Sequence, residues 1–461
     1  MRMFLFILIV STTQCVAQSP TGDWYSTIEV VGLPIVFHIK KEKKNYQITV
    51  DSPKQDAFGM PGNISLAKNN FIEIQMPKLG VTFQGTYYSD SIHGIFKQGP
   101  ISEKMTFYRE QNETKSFTRP QHPKAPYSYN RENIKFYNKK DSIFLSGTLT
   151  LPQNKTKVPA AILVSGSGPQ NRDEEIMGHR PFWVIADYLT NLGYAVLRYD
   201  DRGTYDSQGD FGNATTNDFV QDAASAISYL KNHNKIDSNK IVVIGHSEGG
   251  LIANILGAEI PNLSGIISLA GTSIRGDSIL NIQTKLIAES NGDVGREFEL
   301  SYGYNKKIWS AMVSSESIFD YEKELTSISK DFVKSFKKEK LIRRGEKAGG
   351  IDEIKRTWLN PWIYEFVRYS PSKDIPRIGC HVLVLIGSRD IQVTSKENIE
   401  GYNRLLPKND KLHKLLELKG LNHLFQHCKT CKIDEYGKLE ETFSTIALDE
   451  MRSFLETIWE K

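Results

Sequence analysis

The sequence has few cysteines, little excess of either charge and only one long apolar run. Its 461 residues include 4 Cys, and 58 Lys+Arg against 54 Asp+Glu give a formal net charge of +4. So small an excess gives no electrostatic reason to expect nucleic acid or an anionic membrane as a partner. A hydrophobic fraction of 39% with 34 Gly and 18 Pro excludes a wholly disordered, collagen-like or coiled-coil chain. At this length we expect two or three folded units.

The single long apolar run lies at the start of the chain, at residues 3–10, and follows Arg2. It is too short to span a bilayer, and small residues suited to cleavage follow it as far as Ala17. We therefore expect residues 1–17 to be a secretory signal peptide and the mature protein to be periplasmic or secreted. A buried N-terminal strand is the alternative. Gln14 stands where a lipoprotein signal has a small residue, so we expect no stable membrane anchor.

Three cysteines remain after this segment: Cys380, Cys428 and Cys431. His427 precedes the Cys-x-x-Cys pair, which is therefore similar to half of a zinc site, but a second pair of ligands is missing. We expect no metal here, and either a disulfide or two free thiols, since export permits a disulfide without requiring it. Cys380 opens an apolar run and is expected in the core.

Alternating apolar and polar residues indicate β structure from 18 to 112. Ile72, Ile74 and Met76, for example, alternate with polar neighbours. About seven short strands with apolar residues on one side predict a small antiparallel barrel or sandwich. Residues 113–127 are polar and contain three prolines, which is typical of a linker.

From 128 to 461 strands alternate with helices. Repeated β-α-β units predict an α/β domain with a mostly parallel sheet flanked by helices. This rhythm is interrupted from about 274 to 365 by a helical, charged insertion that is rich in large aromatics. Insertions into open α/β sheets usually lie over the carboxyl edge, where ligands bind, so we expect a helical lid.

Gly245-His246-Ser247-Glu248-Gly249 follows a predicted buried strand and opens a predicted helix. The G-x-S-x-G pattern alone is weak, but in this context it predicts a nucleophile elbow that exposes the Ser247 hydroxyl at a helix N-terminus. An inert serine in a tight Gly-rich turn is the alternative.

A serine hydroxyl needs a base, and the base needs an orienting acid. In a nucleophile-elbow enzyme these follow the serine in the order acid, then histidine. Asp390 comes just past the predicted strand 382–386, and His423 just past the predicted strand 412–418. We predict that Ser247, Asp390 and His423 form the catalytic set at one edge of the sheet.

Other candidates for these roles are present. His427 lies farther from its strand end, beside the cysteines. His246 adjoins the serine, but a packing role is favoured because its side chain should point away from the apex of the turn. Asp434 and Glu435 follow the histidine, and no predicted strand positions them.

Acyl transfer also needs donors for the oxyanion. We predict the backbone N–H groups of Glu248, which follows the nucleophile, and of Ser167, in the Gly-rich loop 165–169 after an earlier strand. That loop lacks the Lys-Ser/Thr ending of a P-loop and the full dinucleotide glycine pattern, so we expect no bound cofactor.

Together these motifs resemble the α/β-hydrolase superfamily, and more closely the secreted bacterial serine esterases grouped with serine-aminopeptidase-like (S33-type) hydrolases. The likeness rests on six segments: 165–174, 197–203, 245–250, 360–362, 387–390 and 421–426. The β-rich N-terminal unit that contains residues 51–55 is also similar to members of this group, so the likeness covers most of the mature chain. The resemblance implies an α/β-hydrolase fold and carboxylesterase activity on small acyl esters, with Ser247, Asp390 and His423 as the triad.

We therefore expect a secreted serine hydrolase that cleaves small-molecule carboxylic esters with short acyl chains, without a metal or organic cofactor. A peptidase or amidase with the same triad is the first alternative, because a triad does not identify the leaving group. Such an aminopeptidase would need a carboxylate for the substrate ammonium, such as Glu316 or Asp320. The second alternative is a non-catalytic binding protein that uses the β domain.

Overall fold

The structure is a computed structural model that describes residues 19–28, 33–43, 45–55, 57–67, 70–98, 101–110, 118–339, 355 and 357–459. The predicted signal peptide, residues 1–17, lies outside the described residues. The chain divides after residue 116 into two compact units. Within the part of the chain that the structure describes, no helix combines the length and apolar character of a membrane span.

The first unit is a closed barrel of eight strands in which sequential neighbours pair antiparallel. The period-2 pattern accounts for it, because Ile72 and Ile74 are fully buried inside while their neighbours face outward. The rings of Phe37 and Phe107 stack in the core with centroids 4.0 Å apart. The strands are β1 (Gly22–Ile28), β2 (Leu33–Glu42), β3 (Asn45–Ser52), β4 (Ala57–Ala67), β5 (Phe71–Met76), β6 (Val81–Tyr87), β7 (Ser91–Gln98) and β8 (Ile101–Tyr108).

The second unit contains an eight-stranded sheet in the order β16-β15-β14-β13-β11-β12-β10-β9. The strands from β11 to β16 pair in parallel, and β10 pairs antiparallel with β12 and β9. They are β9 (Tyr129–Asn138), β10 (Ile143–Pro152), β11 (Val158–Val164), β12 (Ala195–Tyr199), β13 (Ile236–His246), β14 (Gly265–Leu269), β15 (His381–Gly387) and β16 (His413–Leu418).

Helices connect these strands, because parallel neighbours require crossover connections. They are α1 (Pro181–Asn191), α2 (Thr216–Lys231), α3 (Glu248–Glu259), α4 (Gly276–Asn291), α5 (Arg296–Ser314), α6 (Ile318–Lys338), α7 (Pro361–Arg368), α8 (Ser395–Leu405), α9 (Ile433–Tyr436) and α10 (Thr445–Trp459). An all-β unit followed by a mostly parallel sheet with helices confirms the fold class expected from the sequence.

The helical insertion lies between β14 and β15 and contains α4 to α7. It has an apolar core of its own, in which Ile308, Met312, Tyr321 and Leu325 are fully buried. The insertion is therefore a folded helical layer whose position in the chain is the one expected from the sequence.

The structure describes residues 118–127 of the segment that the sequence predicts as a linker, 113–127. Arg119 and Gln121 donate hydrogen bonds of 2.6 to 2.9 Å to carbonyl oxygens of residues 437–443 in the second unit. These hydrogen bonds join residues 118–127 to the C-terminal part of the second unit, to which they belong. Residues 113–117 lie outside the described residues.

Arg202, in the loop after β12, holds three elements of the second unit together. Its guanidinium donates to both oxygens of Asp222 on α2, at 2.7 and 2.9 Å, and to Asp141 at 2.8 Å. Asn138 at the end of β9 donates to the same Asp222 carboxylate at 2.7 Å. The Asp222 side chain is 1% exposed, so its charge depends on these partners.

Arg202→Met should lower the free energy of unfolding of the second unit by about 3–5 kcal/mol, because it leaves the Asp222 carboxylate buried without its cation. Urea denaturation followed by circular dichroism measures the change. The control is Arg296→Met, which removes exposed pairs with Glu299 and Glu339 and should leave the denaturation midpoint unchanged. Equal midpoints for the two variants would contradict this account.

Candidate active site

The nucleophile predicted from the sequence lies in a sharp turn between β13 and α3. Ser247 has φ 54° and ψ −115°, a backbone conformation that is strained for any residue except glycine. The strand ends at His246 and the helix begins at Glu248, and the Ser247 N–H donates to the Leu269 carbonyl oxygen at 2.8 Å. The elements on either side thus hold the serine in the conformation of a nucleophile elbow.

The flanking glycines are required by close backbone contacts. A Cβ on Gly245 would lie 1.9 Å from the Gly249 carbonyl oxygen, and a Cβ on Gly249 would lie 2.0 Å from the Val164 carbonyl oxygen. No side chain fits at either position without moving α3 away from β13 and β11. The two glycines therefore set how closely the serine approaches the loop after β11.

The structure brings Asp390 and His423 into direct contact. His423 Nδ1–H donates to Asp390 Oδ2 at 2.7 Å, and both side chains are almost completely buried. The other oxygen of Asp390 accepts the N–H groups of Gln392 and Val393 at 2.7 and 2.9 Å. The carboxylate is thus held in place, and a proton kept on Nδ1 leaves Nε2 of His423 available as a base.

His423 is also held next to the elbow. The rings of His246 and His423 lie 4.8 Å apart between centroids, and His246 Nε2 contacts the His423 carbonyl oxygen at 3.0 Å. The residue that precedes the nucleophile therefore anchors the loop that carries the predicted base. The packing role predicted for His246 is incomplete, because its ring hydrogen-bonds at both nitrogens.

Glu174 is a residue of the site that the sequence reasoning did not assign. Its Oε1 accepts from His246 Nδ1 at 2.9 Å and from the Gly166 N–H at 2.7 Å, and it is 1% exposed. Both ring nitrogens of His246 thus face acceptor oxygens, an arrangement that the doubly protonated imidazolium satisfies. Burial acts to lower the pKa of His246, but the Glu174 carboxylate outweighs it and raises that pKa above the ordinary value.

Glu248, predicted as an oxyanion donor through its backbone, has a second role through its side chain. Its buried carboxylate accepts from Ser167 Oγ at 2.8 Å, from Thr216 Oγ1 at 2.6 Å and from Trp362 Nε1 at 2.8 Å. Burial raises the pKa of Glu248, while these three hydrogen bonds act in the opposite direction. The side chain thus joins the loop after β11, the start of α2 and the helical insertion.

The predicted oxyanion residues Ser167 and Glu248 therefore lie close together. Glu248 supplies the first backbone N–H of α3, at the positive end of the helix dipole. Asp201 closes the base of the Ser167 loop, because it accepts from Ser165 Oγ at 2.8 Å and from the Gln170 N–H at 3.0 Å. Burial raises the pKa of Asp201 to about 8.

The competing candidates have other contacts. His427 Nδ1 contacts Glu441 at 2.9 Å on the exposed surface, and Glu435 accepts the N–H groups of residues 429–431. Cys428 and Cys431 form a disulfide, one of the two states left open by the sequence, and Cys380 is a buried free thiol as expected.

Comparisons with known proteins identify the family of this chain. A family model described as serine aminopeptidase, S33, matches residues 182–425, which is more than half of the chain and includes Ser247, Asp390 and His423. The chain belongs to this family. The S33-type α/β-hydrolase assignment expected from the sequence is confirmed.

Individual relatives are more distant. Esterase EstD of Thermotoga maritima is 25% identical over 332 residues, which cover 71% of this chain and 70% of that protein. The α/β hydrolase GrgF from Penicillium sp. sh18 aligns with a TM-score of 0.44 at 16% identity, over 72% of this chain and 100% of that one. The Pyrococcus furiosus esterase Pf2001 aligns with a TM-score of 0.41 at 15% identity, over 72% and 91%.

Glu174→Gln should slow the labelling of Ser247 by a fluorophosphonate by about 10- to 100-fold, because a neutral amide replaces the buried carboxylate that accepts from both His246 and Gly166 and so weakens the anchor of the loops that carry Gly166 and His423. The second-order rate of labelling at pH 7.5 measures this. The control is Glu175→Gln, which changes a partly exposed carboxylate paired with Arg180. An unchanged rate for Glu174→Gln would remove the Glu174–His246 pair from the site.

Proposed function

We propose that this S33-family hydrolase is a serine carboxylesterase, in which Ser247 forms an acyl-enzyme with the acid part of a small-molecule ester. The observation that carries the proposal is the buried Asp390–His423 hydrogen bond, held by His246 beside a strained serine at the start of α3. A non-catalytic role would not require this strain or the buried polar contacts that maintain it.

In the first half of the reaction His423 Nε2 takes the proton of the Ser247 hydroxyl as the oxygen attacks the ester carbonyl. Asp390 holds the ring in the tautomer that has a free Nε2 and stabilises the imidazolium that forms. The developing oxyanion accepts hydrogen bonds from the backbone N–H groups of Ser167 and Glu248, with help from the dipole of α3.

In the second half His423 gives its proton to the leaving alcohol, and the acyl group stays on Ser247 Oγ. Water then loses a proton to His423 Nε2 and attacks the acyl-enzyme, which releases the carboxylic acid and restores the serine hydroxyl. Each step uses groups of the chain and water alone.

The surroundings of the nucleophile favour esters over substrates with a free N-terminus. An aminopeptidase needs an available carboxylate to bind the substrate ammonium, but the Glu248 carboxylate beside Ser247 already accepts three hydrogen bonds. Asp320, the candidate named from the sequence, is exposed and accepts from the Ser317 hydroxyl at the start of α6.

We retain the prediction of short acyl chains, which a series of p-nitrophenyl esters of increasing acyl length tests.

We also propose export from the cytoplasm. The charged residue, apolar run and small residues at 1–17 are the sequence pattern that supports it. The Cys428–Cys431 disulfide supports it independently, because such bonds persist in oxidising compartments.

Ser247→Ala should abolish fluorophosphonate labelling and lower kcat on p-nitrophenyl acetate by about 10⁴-fold or more, because no other group in the site replaces the nucleophile. The melting temperature should stay near that of the wild type, since the hydroxyl is lost without a change in backbone geometry.

Ser225→Ala on α2 is the control and should retain full activity. Aminoacyl and prolyl p-nitroanilides are assayed beside the esters. Full ester turnover by Ser247→Ala would refute the nucleophile, and a larger kcat/KM on anilides than on esters would replace the esterase by the peptidase alternative.

A further inference from the structure

A cavity of about 510 Å³ lies between the loop that contains Gly168, the start of α2 and the helical insertion. Aromatic rings from two segments form its walls: Phe211 and Phe219 come from the start of α2 and the loop before it, and Trp358 and Trp362 come from the helical insertion. Gly168 and Ile363 also line it. A cavity of this volume accommodates a substituent that bears a ring, and it is much larger than an acetyl group requires.

Two contacts connect this cavity to the nucleophile. Gly168 directly follows Ser167, the predicted oxyanion donor, so the cavity reaches the loop that faces Ser247. Trp362 forms part of the wall while its Nε1 donates to the carboxylate of Glu248, the residue after the nucleophile. The same buried carboxylate therefore positions both the serine helix and the aromatic wall.

The order of strands in the sheet decides which half of an ester enters this cavity. His423 and Asp390 follow β16 and β15, on one side of β13, which carries Ser247. Gly168 and Phe211 follow β11 and β12, on the other side. The leaving alcohol must lie on the side of His423, which protonates it, so the cavity on the opposite side receives the acyl group.

The chemistry of the walls indicates the kind of acyl group. None of the described residues that line the cavity is charged. The polar Asn360 uses its side chain within the protein, because Oδ1 accepts the Ile363 N–H at 3.2 Å and Nδ2 donates to the Gly212 carbonyl oxygen at 3.4 Å. Aromatic walls add stacking and edge-to-face contacts to the burial of a ring, beyond what an alkyl chain obtains.

We propose that this cavity is the acyl-binding site for carboxylic esters whose acid part is a short chain that ends in an aromatic ring. The proposal rests on the esterase function proposed above and specifies its substrate class. Phe211, Phe219, Trp358 and Trp362 contact the ring, and Ile363 sets the space available to it.

The test keeps the leaving group constant and varies the acid. We expect kcat/KM for p-nitrophenyl 3-phenylpropanoate to exceed that for p-nitrophenyl acetate by at least about tenfold in the wild type. Ile363→Phe narrows the cavity and should lower this ratio about tenfold, whereas Ile363→Ala should shift the preference towards a naphthyl-bearing acid. Val294→Ala, at an exposed position of the insertion, is the control and should keep the wild-type ratio.

A second series keeps the acetyl group and varies the alcohol from phenol to naphthol, and Ile363 substitutions should leave its ratios unchanged. The acyl-site proposal would be overturned if kcat/KM for the phenylpropanoate were equal to or lower than that for the acetate. It would also be overturned if the Ile363 substitutions changed the ratios among the alcohols. In either case the esterase function would stand. Failure of the wild type to hydrolyse any ester would overturn both. If Ile363→Phe does not fold, the acyl preference of Ile363→Ala alone tests the proposal.

Discussion

The close approach of α3 to the ends of β13 and β11 is the constraint on which the rest of the site depends. A Cβ on Gly245 would lie only 1.9 Å from the Gly249 carbonyl oxygen, so no residue other than glycine fits at these flanking positions. The serine between them adopts a positive φ. That geometry places the hydroxyl at the N-terminal end of α3, where the proposed mechanism requires donors for an oxyanion. The loops that carry Ser167 and His423 are held in place relative to this turn.

Two buried carboxylates hold those loops. Glu174 connects the Gly166 N–H to His246, which in turn contacts the His423 backbone. Glu248 connects Ser167 to the start of α2 and to Trp362 in the insertion. Each carboxylate accepts its hydrogen bonds from groups of the protein, so the loop that carries Ser167, His423 and the insertion are positioned before a substrate binds.

Sequence reasoning found what local patterns encode. Strand–helix periodicity and chain order predict the elbow at Ser247 and the positions of Asp390 and His423 after successive strands. Period-2 alternation predicts the barrel, which was expected with about seven strands and has eight. Glu174 was not assigned, because its partner His246 is 72 residues away and no spacing rule joins them. Arg119 and Gln121 were predicted to be linker residues, because the carbonyl oxygens that they bind at residues 437–443 lie more than 300 residues downstream.

Covalent capture of the acyl-enzyme tests the central claim most directly. The wild-type protein is treated with p-nitrophenyl dimethylcarbamate, whose carbamoyl adduct hydrolyses slowly, and the released p-nitrophenol and the modified peptides are quantified by absorbance and mass spectrometry. The account predicts one equivalent of p-nitrophenol and one carbamoyl group, on the peptide that contains Ser247. Modification of Ser167 or His423 instead, or turnover of p-nitrophenyl acetate without any trapped adduct, would contradict it.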